Sequence, residues 1–143
     1  GQGVLTSIAM TVMEELDGDW SKVVAVPGDA RAEYKHNLFG VQATGGSTTT
    51  HSSFEQMRQA GATARAMLLA AAAAEWKVPV EQLRTEQSFV IGPEAGQRLS
   101  YGELAEAAAK LPVPAQARLK DKRDFKLIGK SKARLDGRSK VTG

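Results

Sequence analysis

Apolar residues recur at helical spacing in two long stretches of the chain. The first stretch predicts an amphipathic helix that ends at Asp17-Gly18-Asp19, and its apolar residues are Leu5, Ile8, Ala9, Val12, Met13 and Leu16. The second predicts a long helix that begins at Ser52 and ends near Trp76, because Ser52 and Glu55 have the spacing of a capping box. Small residues at 70–74 would let another backbone approach this helix closely.

Shorter patterns predict β-structure. Residues 21–26, "SKVVAV", are rich in valine and end at a Pro-Gly pair, which predicts a strand. Residues 85–91 and 97–100 flank "GPEAG" and predict a hairpin. A second capping box, Ser100 with Glu103, opens a helix that should reach Lys110. The order helix, strand, helix, hairpin, helix predicts an α+β fold, a two-layer α/β domain.

Charge divides the chain into two segments. Residues 1–114 contain nine Lys/Arg against thirteen Asp/Glu, a net charge of −4, whereas residues 115–143 contain ten against three, a net of +7. The second segment has one aromatic residue and no sustained apolar period. We therefore predict a domain at 1–114 and an extended or partly disordered basic linker at 115–143 that leads to the next domain.

Composition limits the possible chemistry. A chain of 143 residues with 42% hydrophobic residues suits one soluble domain, and no apolar run is long enough to cross a membrane. Because the chain has no cysteine, disulfides, thiolate metal sites and iron–sulfur ligation within it are excluded. His36 and His51 are too few for a zinc site and are interpreted as loop histidines. The Gly-Gln-Gly start without methionine suggests a piece of a longer protein or a processed product.

The stretch "TGGSTTT" at 44–50 combines two glycines with five hydroxyl groups. A helix is predicted just beyond it, so backbone amides and hydroxyls could bind an anion such as phosphate. A solvated polar loop is the alternative. The stretch lacks the lysine of a P-loop and the strand-GxGxxG order of a dinucleotide fingerprint. Gly1-Gln2-Gly3 repeats the arrangement ahead of the first helix, and the two turns could hold one elongated anion.

No complete catalytic or metal-binding set is present in the sequence. Glu14 and Glu15 are interpreted as the polar side of the first helix. Arg58 and Arg65 share a helical face, where they either contact phosphate or are solvated, and solvation is favoured. We expect the isolated chain to expose apolar surface, including part of the alanine-rich helix, and to self-associate or be only modestly stable.

Several motifs occur together: "GQGVLT" at 1–6, "ATGGSTTT" at 43–50, "MRQAGATARAMLLAAAAAEWKVP" at 57–79, "SYGELAEAAAKLPVP" at 100–114, "LKDKRDFKLIG" at 119–129 and "RLDGRSKVTG" at 134–143. In combination they resemble the large subunits of the xanthine dehydrogenase and aldehyde oxidase superfamily of molybdenum hydroxylases. The isoquinoline 1-oxidoreductase β-subunit type is the most similar, because there too GQG precedes "KVTG". The resemblance covers essentially the whole chain.

The resemblance implies a molybdopterin-binding domain. The cofactor would be molybdopterin or its cytosine dinucleotide, bound in the parent enzyme and absent from the isolated piece. Carried over by position, its ligands would be Gly1, Gln2, Gly3, Gly46, Ser47, Thr48 and Thr49. The parent would hydroxylate an N-heterocycle or an aldehyde with water as the oxygen source.

The resemblance also implies what lies elsewhere. The family's catalytic glutamate and its Gly-Gly-Phe loop have no counterpart here, so this piece alone would not be catalytic. Its partners would be the remainder of the large subunit and a small iron–sulfur subunit. The bacterial periplasm is the implied location, with the cytoplasm as the alternative.

Two other functions are weighed against this one. A phosphate or nucleic-acid binding module could use the basic tail, but only Phe125 could stack on a base and no known nucleic-acid fold is visible. A nucleotide-binding protein is disfavoured by the missing P-loop lysine. We expect no nucleic-acid partner.

Overall fold

The structure, a computed structural model, describes residues 3–142. Within these residues the chain is an α+β domain with five α-helices and one three-stranded antiparallel sheet. The helices are α1 (Val4–Leu16), α2 (Thr48–Ser52), α3 (Phe54–Trp76), α4 (Tyr101–Ala109) and α5 (Gly137–Val141). The strands are β1 (Arg84–Glu86), β2 (Phe89–Ile91) and β3 (Arg98–Ser100). Short 3-10 turns lie at Trp20–Lys22, Ala32–Tyr34, Val80–Gln82 and Lys122–Asp124.

Most of the predicted helix ends are confirmed. Helix α1 ends at Leu16, where Asp17 turns into the left-handed region with φ 55°. Helix α3 ends at Trp76. Helix α4 has the predicted capping box, since the Ser100 hydroxyl accepts from the Glu103 amide and the Glu103 carboxylate accepts from the Ser100 amide.

The predicted capping box at Ser52 is wrong. Residues Thr48–Ser52 already form α2, and α3 begins afterwards at Phe54. Ser53, which precedes α3, has helical backbone, and its hydroxyl donates to the Thr49 carbonyl at 2.6 Å instead of capping α3. Helix α2 therefore begins at Thr48, inside the stretch "TGGSTTT" at 44–50.

The predicted strand at 21–26 is also wrong. Asp19 accepts a hydrogen bond from the Ser21 amide at 3.0 Å and begins a 3-10 turn there. Val24 and Val26 are 84% and 77% exposed. A strand needs a paired neighbour, and the three strands within residues 3–142 pair only with one another.

The sheet consists of two hairpins that share β2. Residues 85–91, predicted as one strand, contain a turn because Gln87 and Ser88 have φ values of 45° and 66°. The Ser88 amide donates to the Asp17 carbonyl at 2.9 Å, and the Ser88 hydroxyl accepts from the Asp19 amide at 2.8 Å. The turn thereby attaches the sheet to the end of α1. The hairpin predicted around "GPEAG" is confirmed between β2 and β3.

The core lies between α3, α4 and β2. Its buried residues are Leu68, Ala71, Ala72, Val90, Leu104 and Ala108. Ala72 and Val90 are both 0% exposed. The alanine run thus lets α4 and the sheet approach α3 closely, as predicted. Burying an aliphatic side chain of the size of Leu68 contributes about 1.5–3 kcal/mol to stability.

Helices α1 and α3 meet at Gly61. A methyl group at this position would collide with the carbonyl oxygen of Val12 and would lie 3.0 Å from the Glu15 Cβ atom. Glycine is therefore required by the distance between the two backbones. This contact places one face of α1 directly against α3.

Residues 117–128, called the strap below, cross α1 and α3. Ala117 is buried, and its carbonyl accepts from the Gln59 side chain at 3.3 Å. Beyond the strap, the Leu135 amide donates to the Thr6 hydroxyl at 3.0 Å. The basic segment therefore leans on helices of this same chain.

Candidate functional site

Helices α1 and α2 begin in the same uncommon way. Gly3 precedes α1 with φ 69°, and Ser47 precedes α2 with φ 57°, so both are left-handed. An N-cap residue usually has extended backbone, and its side chain accepts from a first-turn amide. Neither residue does so, and neither first turn contains an acidic residue. Neither N-cap residue therefore caps its helix through a side chain, and in α2 the Thr48 amide donates to the Gly45 carbonyl at 3.0 Å.

A hydrogen-bonded path joins these two helix starts. The Ser7 hydroxyl oxygen lies 3.1 Å from that of Thr50. The Ser7 hydroxyl also lies 3.2 Å from the Gly3 carbonyl, to which it donates. The Ser7 hydroxyl lies 3.4 Å from the Val4 carbonyl as well, and either hydroxyl can donate in the contact between Ser7 and Thr50. The start of α1 is in this way linked directly to α2.

We call residues 1–3 the first corner and residues 44–50 the second corner. Of the predicted ligands, Gly1 and Gln2 lie outside the described residues. The other predicted ligands at the two corners are Gly3, Gly46, Ser47, Thr48 and Thr49. Apart from its chain neighbours, no part of the described chain lies within 4 Å of the position that a Cβ would occupy at Gly3, so the backbone there is open to close approach. Gly46 has φ 55°, which favours glycine.

The hydroxyls of the second corner have different partners. Thr48 donates to the Gly45 carbonyl at 2.7 Å, and Thr49 lies 3.4 Å from the Ala43 carbonyl as a weak donor. Thr50 interacts with Ser7. Ser47 is exposed and does not cap α2. The hydroxyls of Thr48 and Thr49 therefore lie on carbonyls of the corner and its preceding residue, while Ser47 is exposed.

A cavity of about 470 Å³ lies beside the second corner. The loop before α2 and the start of α3 form its walls, which include Tyr34, His36, Thr49 and Met57. His36 is a loop residue, as predicted, but it is only 7% exposed. His51 lies in α2, so its interpretation as a loop histidine is wrong.

The opposite end of α1 carries a buried charge cluster that the sequence interpretation missed. Glu14 and Glu15 are 1% and 0% exposed, so they are not the polar side of the helix. Glu15 pairs with Arg58 at 2.7 Å and with Arg65 at 3.7 Å. The side chains of Arg58 and Arg65 are 7% and 19% exposed, so the prediction that they are solvated is wrong.

Glu14 binds the strap through backbone amides. Its carboxylate accepts from Lys126 at 2.9 Å, from Leu127 at 2.6 Å and from Ile128 at 2.8 Å. Hydrogen bonds to an ionised carboxylate are stronger than neutral ones. Phe125, in the same part of the strap, lies 5.2 Å from the Arg58 guanidinium as a cation–π contact. The strap is therefore held on α1 and α3 by charge.

Asp17 completes this cluster. Burial alone would raise the pKa of its carboxyl, but hydrogen bonds from Lys120 and Thr85, both at 2.6 Å, outweigh burial and hold the pKa below its ordinary value of 3.8. Lys126 also pairs with Asp17, at 3.3 Å. Burial, together with the Asp17 charge, raises the pKa of Tyr101 above its usual value, and the Tyr101 hydroxyl donates to the Leu16 carbonyl. Part of the positive charge of the basic segment is thus engaged within the chain.

One signal in the sequence could have indicated the buried acids. Glu15 lies seven residues after Ile8, so the two share a helical face. An acid on an apolar face needs a cation, and the pair Arg58 and Arg65 was available. Which of these residues meet could not be read from local spacing.

The predicted exposed apolar surface is present in the loop before α2. Val24, Val26, Leu38, Phe39 and Val41 are each more than half exposed.

The next two findings concern metal binding and membrane spanning. Among residues 3–142, His, Asp and Glu side chains form no group able to hold a metal ion. In the same part of the chain, no helix combines the length and the apolar character needed to span a membrane.

Comparison with known proteins gives a family match. Residues 1–140 match the model described as the molybdopterin cofactor-binding domain. The beta chain of isoquinoline 1-oxidoreductase from Brevundimonas diminuta is 34% identical over all of this chain and 23% of its own length. One of the subunits of nicotinate dehydrogenase from Pseudomonas putida is 38% identical over all of this chain and 12% of its own length. The chain thus spans less than a quarter of these relatives.

Proposed function

Because this chain belongs to the family of molybdopterin cofactor-binding domains, we propose that its two corners bind one molybdopterin through the phosphate end. The chain would be part of the cofactor wall in a molybdenum hydroxylase large subunit. That enzyme would hydroxylate an N-heterocycle or an aldehyde with water as the oxygen source. The names of the two relatives, which refer to isoquinoline and nicotinate, support the N-heterocycle.

The observation that carries this proposal is the contact between Ser7 and Thr50 at 3.1 Å. It links two helix starts that no side chain among residues 3–142 caps. Amides at a helix start carry partial positive charge, and this favours an anion. Helix α1, with thirteen residues, is long enough for this effect. One elongated anion fits such a pair of neighbouring corners better than two separate ions.

The described residues suggest a division of roles. Gly3 and the amides that follow it would meet the ligand from the first corner, together with Gly1 and Gln2. Gly46 and the Ser47 hydroxyl would meet it from the second corner. Thr48 and Thr49, whose hydroxyls face protein carbonyls, would keep the corner in shape. Thr49 would also contribute its backbone amide, whereas the Thr48 amide donates to the Gly45 carbonyl at 3.0 Å.

The cofactor, when bound, supplies the molybdenum and the redox chemistry. Its form, molybdopterin or the cytosine dinucleotide, would depend on contacts made elsewhere in the parent enzyme. The rest of the large subunit would supply the catalytic glutamate and would cover the exposed valines. Residues 115–143 would lead to the next domain, a small iron–sulfur subunit would receive the electrons, and the bacterial periplasm is the proposed location.

The test uses a matched pair of variants in the complete large subunit. Gly3 and Gly129 have φ values of 69° and 83°, and at both a Cβ would meet no atom of residues 3–142 within 4 Å other than those of its chain neighbours. Gly3→Val and Gly129→Val therefore impose similar backbone strain, but only the first blocks the corner. Pterin content, measured by fluorescence after oxidative release, and molybdenum content should fall in Gly3→Val alone. Equal contents in the two variants would refute the proposal.

A further inference from the structure

We infer that His36 is a positioning residue, which holds the second corner through Thr48 in the conformation that receives the cofactor phosphate. This inference rests on the proposed function. His36 lies outside the Gly/Ser/Thr motif and twelve residues before Thr48. It would act on the ligand through the shape of the corner, without touching the ligand.

The imidazole of His36 has both nitrogens engaged. Its Nδ1 accepts from the Leu38 amide at 3.0 Å, and its Nε2 lies 2.9 Å from the Thr48 hydroxyl oxygen. Since Nδ1 accepts an amide proton, the neutral ring carries its own proton on Nε2. His36 therefore donates to Thr48. Thr48 in turn donates to the Gly45 carbonyl at 2.7 Å.

This chain of hydrogen bonds ends on Gly45, the second residue of the corner. From there, Gly46 and Ser47 follow with φ values of 55° and 57°. A non-glycine residue such as Ser47 seldom adopts this backbone, and surrounding contacts must hold it. Helix α2 has only five residues and no side-chain cap, so its own hydrogen bonds are too few to fix the turn.

His36 is itself held rigidly. Its amide donates to the Val41 carbonyl at 2.9 Å, and its carbonyl accepts from the Phe39 and Gly40 amides. Its ring stacks on Phe39 with 4.3 Å between centroids. The His36 ring is thus buried, and both of its nitrogens are hydrogen-bonded, whereas the residues on either side of it in the loop are exposed. Its position therefore orients the Thr48 hydroxyl. In the same corner Gly46 and Ser47 are exposed, and Thr48 is half-buried.

The experiment measures pterin content at limiting cofactor in four variants of the complete large subunit. His36→Phe keeps the ring but removes both nitrogens, and His36→Gln restores an N–H donor and an acceptor. Thr48→Val removes the hydroxyl that receives the bond, and Gly3→Val tests the proposed function alone. Outer partners of a ligand group typically contribute about tenfold in affinity, so we expect about tenfold weaker pterin retention in His36→Phe and Thr48→Val. His36→Gln should recover most of it.

Each result supports or overturns the inference. Loss in His36→Phe with recovery in His36→Gln supports it, because a merely structural loss would not be rescued by a side chain of different shape. If His36→Phe does not fold, loss in folded Thr48→Val with retention in His36→Gln supports it. Wild-type retention in His36→Phe or Thr48→Val, or no recovery in His36→Gln, overturns this inference while Gly3→Val still loses pterin. Full pterin content in Gly3→Val would instead overturn the proposed function.

Discussion

The two ends of α1 are treated in opposite ways. At the carboxyl end, Glu14 and Glu15 are buried, the Asp17 side chain is 9% exposed, and all three pair with cations of α3 and the strap. At the amino end, Gly3 is followed by amides that no side chain among residues 3–142 caps. The carboxyl end of α1 is therefore closed, in the sense that cations of the same chain pair with its acids. The amino end is open, because its first amides lack a side-chain cap among the described residues.

Both arrangements run against the helix dipole. Acids usually stabilise the amino end of a helix and cations the carboxyl end, but α1 has no acid in its first turn and a cluster of acids at its last. The carboxyl end is stable because Arg58, Arg65 and Lys120 surround those acids. The amino end has no such compensation in the described chain. The comparison indicates that a closed end serves folding, whereas an uncompensated end is available to a ligand.

The largest expected effect comes from opening the closed end. Glu15→Ala would remove the nearest carboxylate of the buried Arg58 and leave it only the exposed Glu55, at 3.7 Å, as an acid partner among residues 3–142. Breaking a buried ion pair typically costs about 3–5 kcal/mol. We expect a much lower urea midpoint or no cooperative transition. Glu75→Ala, an exposed acid on α3, is the control and should stay close to the wild type. Equal midpoints for the two variants would mean that the buried pair does not stabilise the fold.

The next effect concerns the strap. Glu14→Gln keeps the size of the side chain but removes the charge and places an NH2 group among three amide donors. Because hydrogen bonds to charged groups contribute about 1.5–3 kcal/mol each, we expect hydrogen exchange at Lys126, Leu127 and Ile128 to accelerate strongly. Exchange in α4 should change little. Unchanged protection of the strap amides would contradict the role given to Glu14.

A smaller effect is expected where α1 lies on α3. Gly61→Ala introduces a methyl group against the Val12 carbonyl, and overpacking of this kind costs about 1–3 kcal/mol. Gly102→Ala in α4 is the matched control, because its Cβ would meet only the Ser100 hydroxyl at 3.9 Å. Gly102→Ala should stabilise by up to about 1 kcal/mol. A higher thermal midpoint for Gly61→Ala than for Gly102→Ala would contradict the close contact between α1 and α3 at Gly61.

The smallest effect is a pH dependence. The pKa of Asp17 is lowered in the folded chain, so its contribution to stability is fully present above the ordinary value of 3.8 and is lost as pH falls through the lower folded value. Wild type and Asp17→Asn should therefore differ in stability at pH 6, and the difference should shrink as pH falls from 3.8 through the lower folded pKa. Urea unfolding across this range measures the difference. A constant difference down to pH 2 would show that the Asp17 charge is not involved.

Local patterns predicted much of the fold. The ends of α1 and α3, the capping box of α4 and the "GPEAG" hairpin depend on residues close together in the chain, and the structure confirms them. The family resemblance is confirmed by the match over residues 1–140. The strand at 21–26 was wrong because its residues favour β-structure but no neighbouring strand exists within residues 3–142.

Long-range contacts explain the rest. Glu15 meets Arg58 across 43 residues, and Glu14 meets Leu127 across 113. No helical or strand period carries information over such distances. The same limit applies to the corners: glycines and hydroxyls identified them as candidates, but the sequence could not show that Ser7 touches Thr50. His36 was likewise visible only as an isolated histidine.

We propose above that the first and second corners, at the starts of α1 and α2, form one anion site. An NMR titration of the full chain with pyrophosphate tests it directly, with amide shifts followed at residues 3–5 and 46–49. We predict that both groups of amides shift along one saturation curve with a single Kd, and that the amides of the strap do not shift. Shifts at only one corner, or two curves with different Kd values, would contradict it.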